Sequence, residues 1–132
     1  MRGLIIRSPW IELILAGRKT WEIRSKNTSV REPIALIKGG SGTVVGAATL
    51  VDCLGPFTFD ELPAHHDKHC VPEGPLAEFR EKYRNRAFAY VLSNVTPLLA
   101  PFPYHHPSGA VIWVTLDEQV AQAIRQAAAR QN

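Results

Sequence analysis

With 132 residues, 45% of them hydrophobic and 20% charged, the chain has the size and balance of one soluble globular domain with a proper core. No apolar run approaches the ~20 residues that a membrane-spanning helix needs. Met1 to Arg7 is too short and interrupted for a signal peptide, and Cys53 and Cys70 offer no disulfide framework, so a reduced cytoplasmic setting is expected. The net charge is only +3, but residues 1–40 carry eight Lys/Arg against three Glu. A half so basic suits an anionic partner such as nucleic acid or a nucleotide.

Residues 3–7 read as a first strand with Leu4 and Ile6, or Ile5, on its buried face. Ser8-Pro9 reads as a helix start, serine as N-cap and proline at the first helical position. The helix Pro9–Ala16 gathers Trp10, Leu13 and Ile14 near one face, and Trp10 is expected in the core or on a pocket wall. Gly17 can stop that helix in the left-handed conformation.

After it, Thr20, Trp21 and Ile23 favour a strand that ends near Ser25. On a regular strand Glu22 and Arg24 share a face and Lys19 points away. With Lys19 in the turn ahead of the strand, all three charges can converge on one cleft. A surface ion pair, worth little to stability, is the plainer alternative.

Ser25 to Glu32 reads as a polar, basic loop, and Pro33 leads the strand Ile34–Lys38. Gly39-Gly40-Ser41-Gly42 lacks the lysine and Ser/Thr of a phosphate-binding loop and reads as a hairpin turn. Thr43–Cys53 is the strongest strand, made narrow at Gly46-Ala47-Ala48 so that another backbone or a ligand can approach. Beyond Leu54 the chain turns irregular, with one helical turn capped by Thr58, then a helix over Pro75–Tyr83.

Ala87–Asn94 is a buried strand, with Val95–Ala100 a short strand or its continuation. Pro97, Pro101, Pro103 and Pro107 are then expected to keep the chain irregular. Ala110–Leu116 is a last strand, and Asp117–Arg130 a helix whose thin stripe, Val120 and Ile124, suggests loose docking and a frayed end. The fold class is α+β around a small, mostly antiparallel sheet, expected as a barrel flanked by short helices. The expected domain spans 1–116, with 117–132 a helical extension.

In this order, Ser8-Pro9-Trp10 leading into Gly17-Arg18-Lys19-Thr20-Trp21-Glu22-Ile23-Arg24 resembles the G-x-K-x-x-E-x-R signature of the ASCH domain. Leu50-Val51-Asp52-Cys53 and Ile112-Trp113-Val114-Thr115-Leu116 are also similar to that family, so that the resemblance runs from about residue 3 to 116. It implies a PUA-like β-barrel with a cleft for RNA or a modified base. Lys19, Glu22 and Arg24 are then the charged cleft residues. Some members are amidohydrolases that deacetylate acetylated cytidine with the signature lysine, a nearby threonine and a later glutamate. Lys19 matches that lysine. Glu22 stands where the threonine would, Thr20 lies at another offset, and no later glutamate is assigned. Other members are associated with cleavage of single-stranded RNA.

For binding, Lys19 and Arg24 suit a phosphate or base edge, and Glu22 suits an exocyclic amine. Trp21 or Trp10 can stack on a base, with Arg18 and Lys26 as further cations. For hydrolysis, Lys19 needs a lowered pKa, which Glu22 opposes, so Glu22 is the better base and Lys19 with Arg24 the oxyanion partners. The expected function is binding of single-stranded RNA or a modified nucleoside, with hydrolase activity as a nucleoside amidohydrolase or ribonuclease the alternative. A protein adaptor with no catalysis is a third reading. No cofactor is called for. His65, His66, His69 and Cys70 form a candidate metal cluster, weighed against a solvated loop, and no metal is assigned. His105 and His106 are candidates for the rim of the cleft.

Overall fold

The computed structural model describes residues 1–131. Strand β1 (Arg2–Ile6) runs into helix α1 (Trp10–Leu15), then β2 (Trp21–Arg24) and β3 (Pro33–Lys38). The long β4 (Thr43–Phe57) is followed by a 3-10 turn (Leu62–His65) and helices α2 (His66–His69) and α3 (Glu73–Lys82). Strands β5 (Ala87–Pro103) and β6 (Trp113–Thr115) precede helix α4 (Glu118–Gln131). Among the described residues no helix is long and apolar enough to cross a membrane.

Six strands form one open sheet in the order β2-β5-β4-β3-β1-β6. The expected barrel is therefore corrected to an open sheet, and the sheet is mixed. Its parallel pair is β1 with β3, Gly3 opposite Ala35 and Ile6 opposite Lys38. The cause is topological: α1 and β2 make a crossover between them, and a chain returning after a crossover runs in its first direction. Strands β2 and β6 have four and three residues, so the two edges are short and stay apart.

The prolines do not end β5, which runs through Pro97 and Pro101 to Pro103. The register with β2 ends at Val91, the partner of Trp21, while that with β4 continues to Pro103. A proline is tolerated where one edge of the strand is free or the ladder bulges. The register shifts between Val44 and Gly46, where Val44 faces Phe102 and Gly46 faces Pro97. The last strand is shorter than expected, and Val111 and Ile112 precede it.

Alternation along β3 splits the interior. Ile34 and Leu36 join Ile11 and Ile14 of α1 under one face, and Ala35 and Ile37 join Ile124 of α4 under the other. A side chain at Gly46 would sit 2.6 Å from Leu15 Cδ2 and 3.1 Å from the Thr96 carbonyl, so the narrow stretch admits α1. Ala121 and Ile124 are fully buried, which corrects the loose docking expected of α4. The last residue of the expected extension, Asn132, lies outside the described residues.

Candidate functional site

α1 ends on Gly17 at φ +79°, a conformation open to glycine at little cost. The N–H groups of Gly17, Arg18 and Lys19 fold back onto the Ile14 and Leu13 carbonyls at 3.0, 3.1 and 3.2 Å. That turn takes Lys19 out of the strand, which begins at Trp21. Glu22 and Arg24 then share one strand face, and Lys19 reaches the same cavity from the turn.

The three charges form its floor. Lys19 is 1% and Glu22 5% exposed. Arg24 donates from Nε (3.1 Å) and Nη2 (2.9 Å) to Glu22 Oε2, and Nη2 also donates to the Ile5 carbonyl at 2.6 Å. Lys19 Nζ lies 3.7 Å from Glu22 Oε1 and donates to the His69 carbonyl at 2.5 Å. Burial pushes the Lys19 pKa below the usual lysine range, and Glu22 opposes that shift without cancelling it.

The walls are aromatic, and the cavity is about 470 Å³, the size range of small-ligand sites. Trp10 stands 5.5 Å from Lys19 Nζ at its ring centre and 6.1 Å from Phe79, joining α1 to α3. Phe79 stacks on Tyr83 at 5.5 Å and 9°. Tyr90, opposite Glu22 on β5, donates its hydroxyl to the Lys26 carbonyl at 2.8 Å. Burial raises the pKa of both tyrosines, so they stay neutral donors at physiological pH. Exposed Arg7, Lys26 and Lys82 stand at the rim, with Val111 and Ile112 as an apolar lip.

The cavity thus gathers Trp10, Lys19, Glu22, Arg24 and Lys26 of the sequence candidates. Trp10 is only partly buried: it packs against two of the core clusters and walls the cavity as well. Trp21 and Arg18 are not brought in. Trp21 is 8% exposed, stacked on Phe57 at 5.8 Å and tilted against His65 at 5.0 Å, on the opposite strand face from Glu22. Arg18 is exposed, and its carbonyl accepts from Cys70 Sγ at 3.3 Å.

The histidine segment is neither a solvated loop throughout nor a metal cluster. His69 is fully buried. Its Nδ1 accepts from Val71 N at 2.9 Å, so Nε2 carries the proton and donates to the Leu62 carbonyl at 2.7 Å. Burial lowers its pKa, which keeps the ring neutral. Among the described residues no three His, Cys, Asp or Glu side chains could hold a metal ion. His69 instead fixes the backbone on which Lys19 rests, and the Lys68 carbonyl accepts from Thr20 N at 2.9 Å beside it.

His105 and His106 are not among the residues lining the cavity. His106 joins the Tyr104 hydroxyl at 2.7 Å to the Ala110 carbonyl at 2.9 Å. Sequence reasoning missed Arg7, Phe79, Lys82, Tyr83 and Tyr90. The spacing of Phe79 and Tyr83 marked a buried helix face, and the same periodicity serves a pocket wall.

The sequence model of the ASCH domain matches residues 4–102. The chain belongs to the ASCH domain family, which is generally associated with RNA binding. Comparison with curated proteins gives no match. Among solved structures, ASCH from Zymomonas mobilis is 16% identical, with 95% of this chain and 93% of that chain covered and a TM-score of 0.74. A tyrosine-to-phenylalanine variant of the same Zymomonas protein gives 16% identity, 95% and 96% coverage and a TM-score of 0.74. A serine-to-alanine variant of it gives 17% identity, 95% and 94% coverage and a TM-score of 0.73. Identities this low speak for the fold alone.

Proposed function

We propose that the cleft binds one nucleoside unit of a single-stranded RNA, or a modified nucleoside. The observation that carries this reading is a buried Lys19–Glu22–Arg24 floor under an aromatic wall with cations at the mouth. Each part matches a part of a nucleotide. The planar base stacks on Trp10 or on the Phe79–Tyr83 pair. Glu22 accepts from an exocyclic amine, and Lys19 donates to a ring or carbonyl acceptor. Arg7, Lys26 and Lys82 face the phosphates.

A second reading, hydrolysis, is favoured by the placement of the Glu22 carboxylate between two cations inside the cavity. Arg24 holds Glu22 Oε2, while Oε1 has Lys19 as its nearest cation at 3.7 Å and is the oxygen that would activate a water. Glu22 would take the water's proton as the hydroxide attacks an acyl carbonyl or a phosphorus. It would hand that proton to the departing amine or ribose oxygen as the acyl–nitrogen or phosphorus–oxygen bond breaks. Lys19 would stabilise the developing oxyanion and Arg24 would hold Glu22 in line.

The test titrates wild type, Lys19→Met and Glu22→Gln with short single-stranded RNA, duplex DNA and free nucleosides that include acetylated cytidine. Tryptophan fluorescence reports binding through Trp10, and mass spectrometry reports products. Saturable, salt-sensitive RNA binding that both variants lose supports the binding reading. Turnover lost in Glu22→Gln adds the catalytic one. Binding that survives both substitutions returns the cleft to an unassigned cavity and favours a protein adaptor.

A further inference from the structure

The surface cations divide into two sets. Arg2, Arg31, Lys38, Arg80 and Arg125 each reach a carboxylate, at distances from 2.9 to 3.9 Å. Among the described residues, Lys26, Lys82, Arg84 and Arg86 belong to the set with no carboxylate within the same reach. Two of these four line the cleft, and the other two follow one of them in sequence. Lys26 and Lys82 line the mouth itself, and Arg84 and Arg86 follow Lys82 in the turn between α3 and β5.

The sheet register gives this group a direction. Tyr90 faces Glu22 and Phe88 faces Arg24, so both pairs share the cleft's face of the sheet. Two residues further along each chain stand Lys26 and Arg86. Arg86 lies over the Phe88 ring at 5.3 Å, an arrangement that holds its guanidinium on that face. Exposed cations therefore extend from the floor's outer end, Arg24, past the mouth.

The turn that carries them is built, not loose. Arg84 and Asn85 both have positive φ, +54° and +55°, where residues other than glycine are uncommon. The turn is locked by Asn85 N on the Arg80 carbonyl at 2.9 Å and Arg86 N on the Tyr83 carbonyl at 3.2 Å. Asn85 Oδ1 accepts from Phe59 N at 2.9 Å, tying it to the loop after β4. Arg84 is thus an exposed basic side chain on a fixed backbone, with no ion-pair partner among the described residues, and is open to an anion from outside the chain.

We infer that Arg84 and Arg86, continuing from Lys26 and Lys82, bind the phosphates of nucleotides flanking the one in the cleft. The ligand is then an RNA strand that runs out over the α3–β5 turn, not a free nucleoside. This rests on the reading that the cleft receives a nucleotide. A flexible single strand fits because one unit must enter the cavity while its neighbours stay on the surface.

The test compares wild type with the double variant Arg84→Asn, Arg86→Gln. Asparagine tolerates positive φ and glutamine keeps a stem over Phe88, so folding is preserved, as an unchanged melting temperature would confirm. A control, Arg2→Gln with Arg125→Gln, removes two cations that are already paired. Each is titrated over a salt series with a short single-stranded RNA and with a nucleoside monophosphate. The double variant should bind the RNA about tenfold more weakly, with a salt slope shallower by about 1.4, two phosphates at roughly 0.7 each for a single strand. Its affinity for the monophosphate should match wild type.

An unchanged RNA affinity and slope would overturn the inference, as would an equal loss in the control. Wild type binding the monophosphate as tightly as the RNA would also overturn it while leaving the cleft reading intact. Wild type binding neither would remove both.

Discussion

The cluster beneath α4 and the floor of the cleft are equally shut off from water and built of opposite materials. Ile124 and Ala121 are fully buried, Ile124 among Ile37, Val44 and Val114. Lys19 and Glu22 are 1% and 5% exposed, with Arg24 closing the group. The first cluster gains stability from every methylene it hides. The second takes charges out of water, and their mutual attraction repays that cost only in part. A fold selected for stability alone would fill the second position with apolar side chains. The difference is what supports the proposal of function at the floor and of structure beneath the helix.

Unpairing the floor has the largest expected effect. Glu22→Ala leaves two buried cations with no carboxylate between them and should cost about 3–5 kcal/mol in urea unfolding, with RNA binding lost. Ile124→Ala should cost about 2–5 kcal/mol through the cavity it opens, yet leave the affinity of the folded protein unchanged. If Ile124→Ala also abolished binding, the division between the two clusters would fail. Trp10→Leu should weaken binding by about 1–3 kcal/mol, the worth of one stacked base. Tyr104→Phe, which removes the hydroxyl from the exposed His106 and keeps the half-buried ring, should change stability by less than about 0.5 kcal/mol.

The sequence was most readable where local rules and the fold agree. Gly17 stops α1, the strand period sets Glu22 beside Arg24, and a turn ahead of the strand can bring Lys19 to them. It was least readable where distant partners decide. Nothing near Trp21 says that Phe57 and His65 will cover it, and nothing near Trp10 says that α3 will leave its ring on an open cavity. His69 looked like one member of a polar run, yet its partners, Leu62 and Val71, bury it as the brace behind Lys19. The prolines of β5 misled because their cost depends on which strand lies alongside, and β2 is too short to reach them. The mixed sheet followed from the parallel β1–β3 pair, which strand patterns alone leave undetermined.

The same contrast has a pH signature that isolates the floor. Lys19 has its pKa lowered from 10.5 chiefly by burial, so in the window below 10.5 the folded chain binds fewer protons there than the unfolded chain. Stability rises with pH wherever the unfolded state binds more protons, so the penalty for charging Lys19 is full below the folded pKa and fades as pH climbs toward 10.5. Tyr83 and Tyr90 run the other way, since raised pKa values make the folded state hold protons that the unfolded state releases. Lys19→Met keeps both tyrosines and removes the amine, so subtracting the two stability profiles cancels them. The difference, wild type minus variant, should increase across the alkaline window and be flat at neutral pH. Methionine fills a similar volume without the charge, so the variant should be at least as stable as wild type near neutral pH while binding no RNA. A variant that lost stability near neutral pH, with a flat difference up to 10.5, would mean that the ion pair holds the fold together and that the floor, like the cluster under α4, is structural.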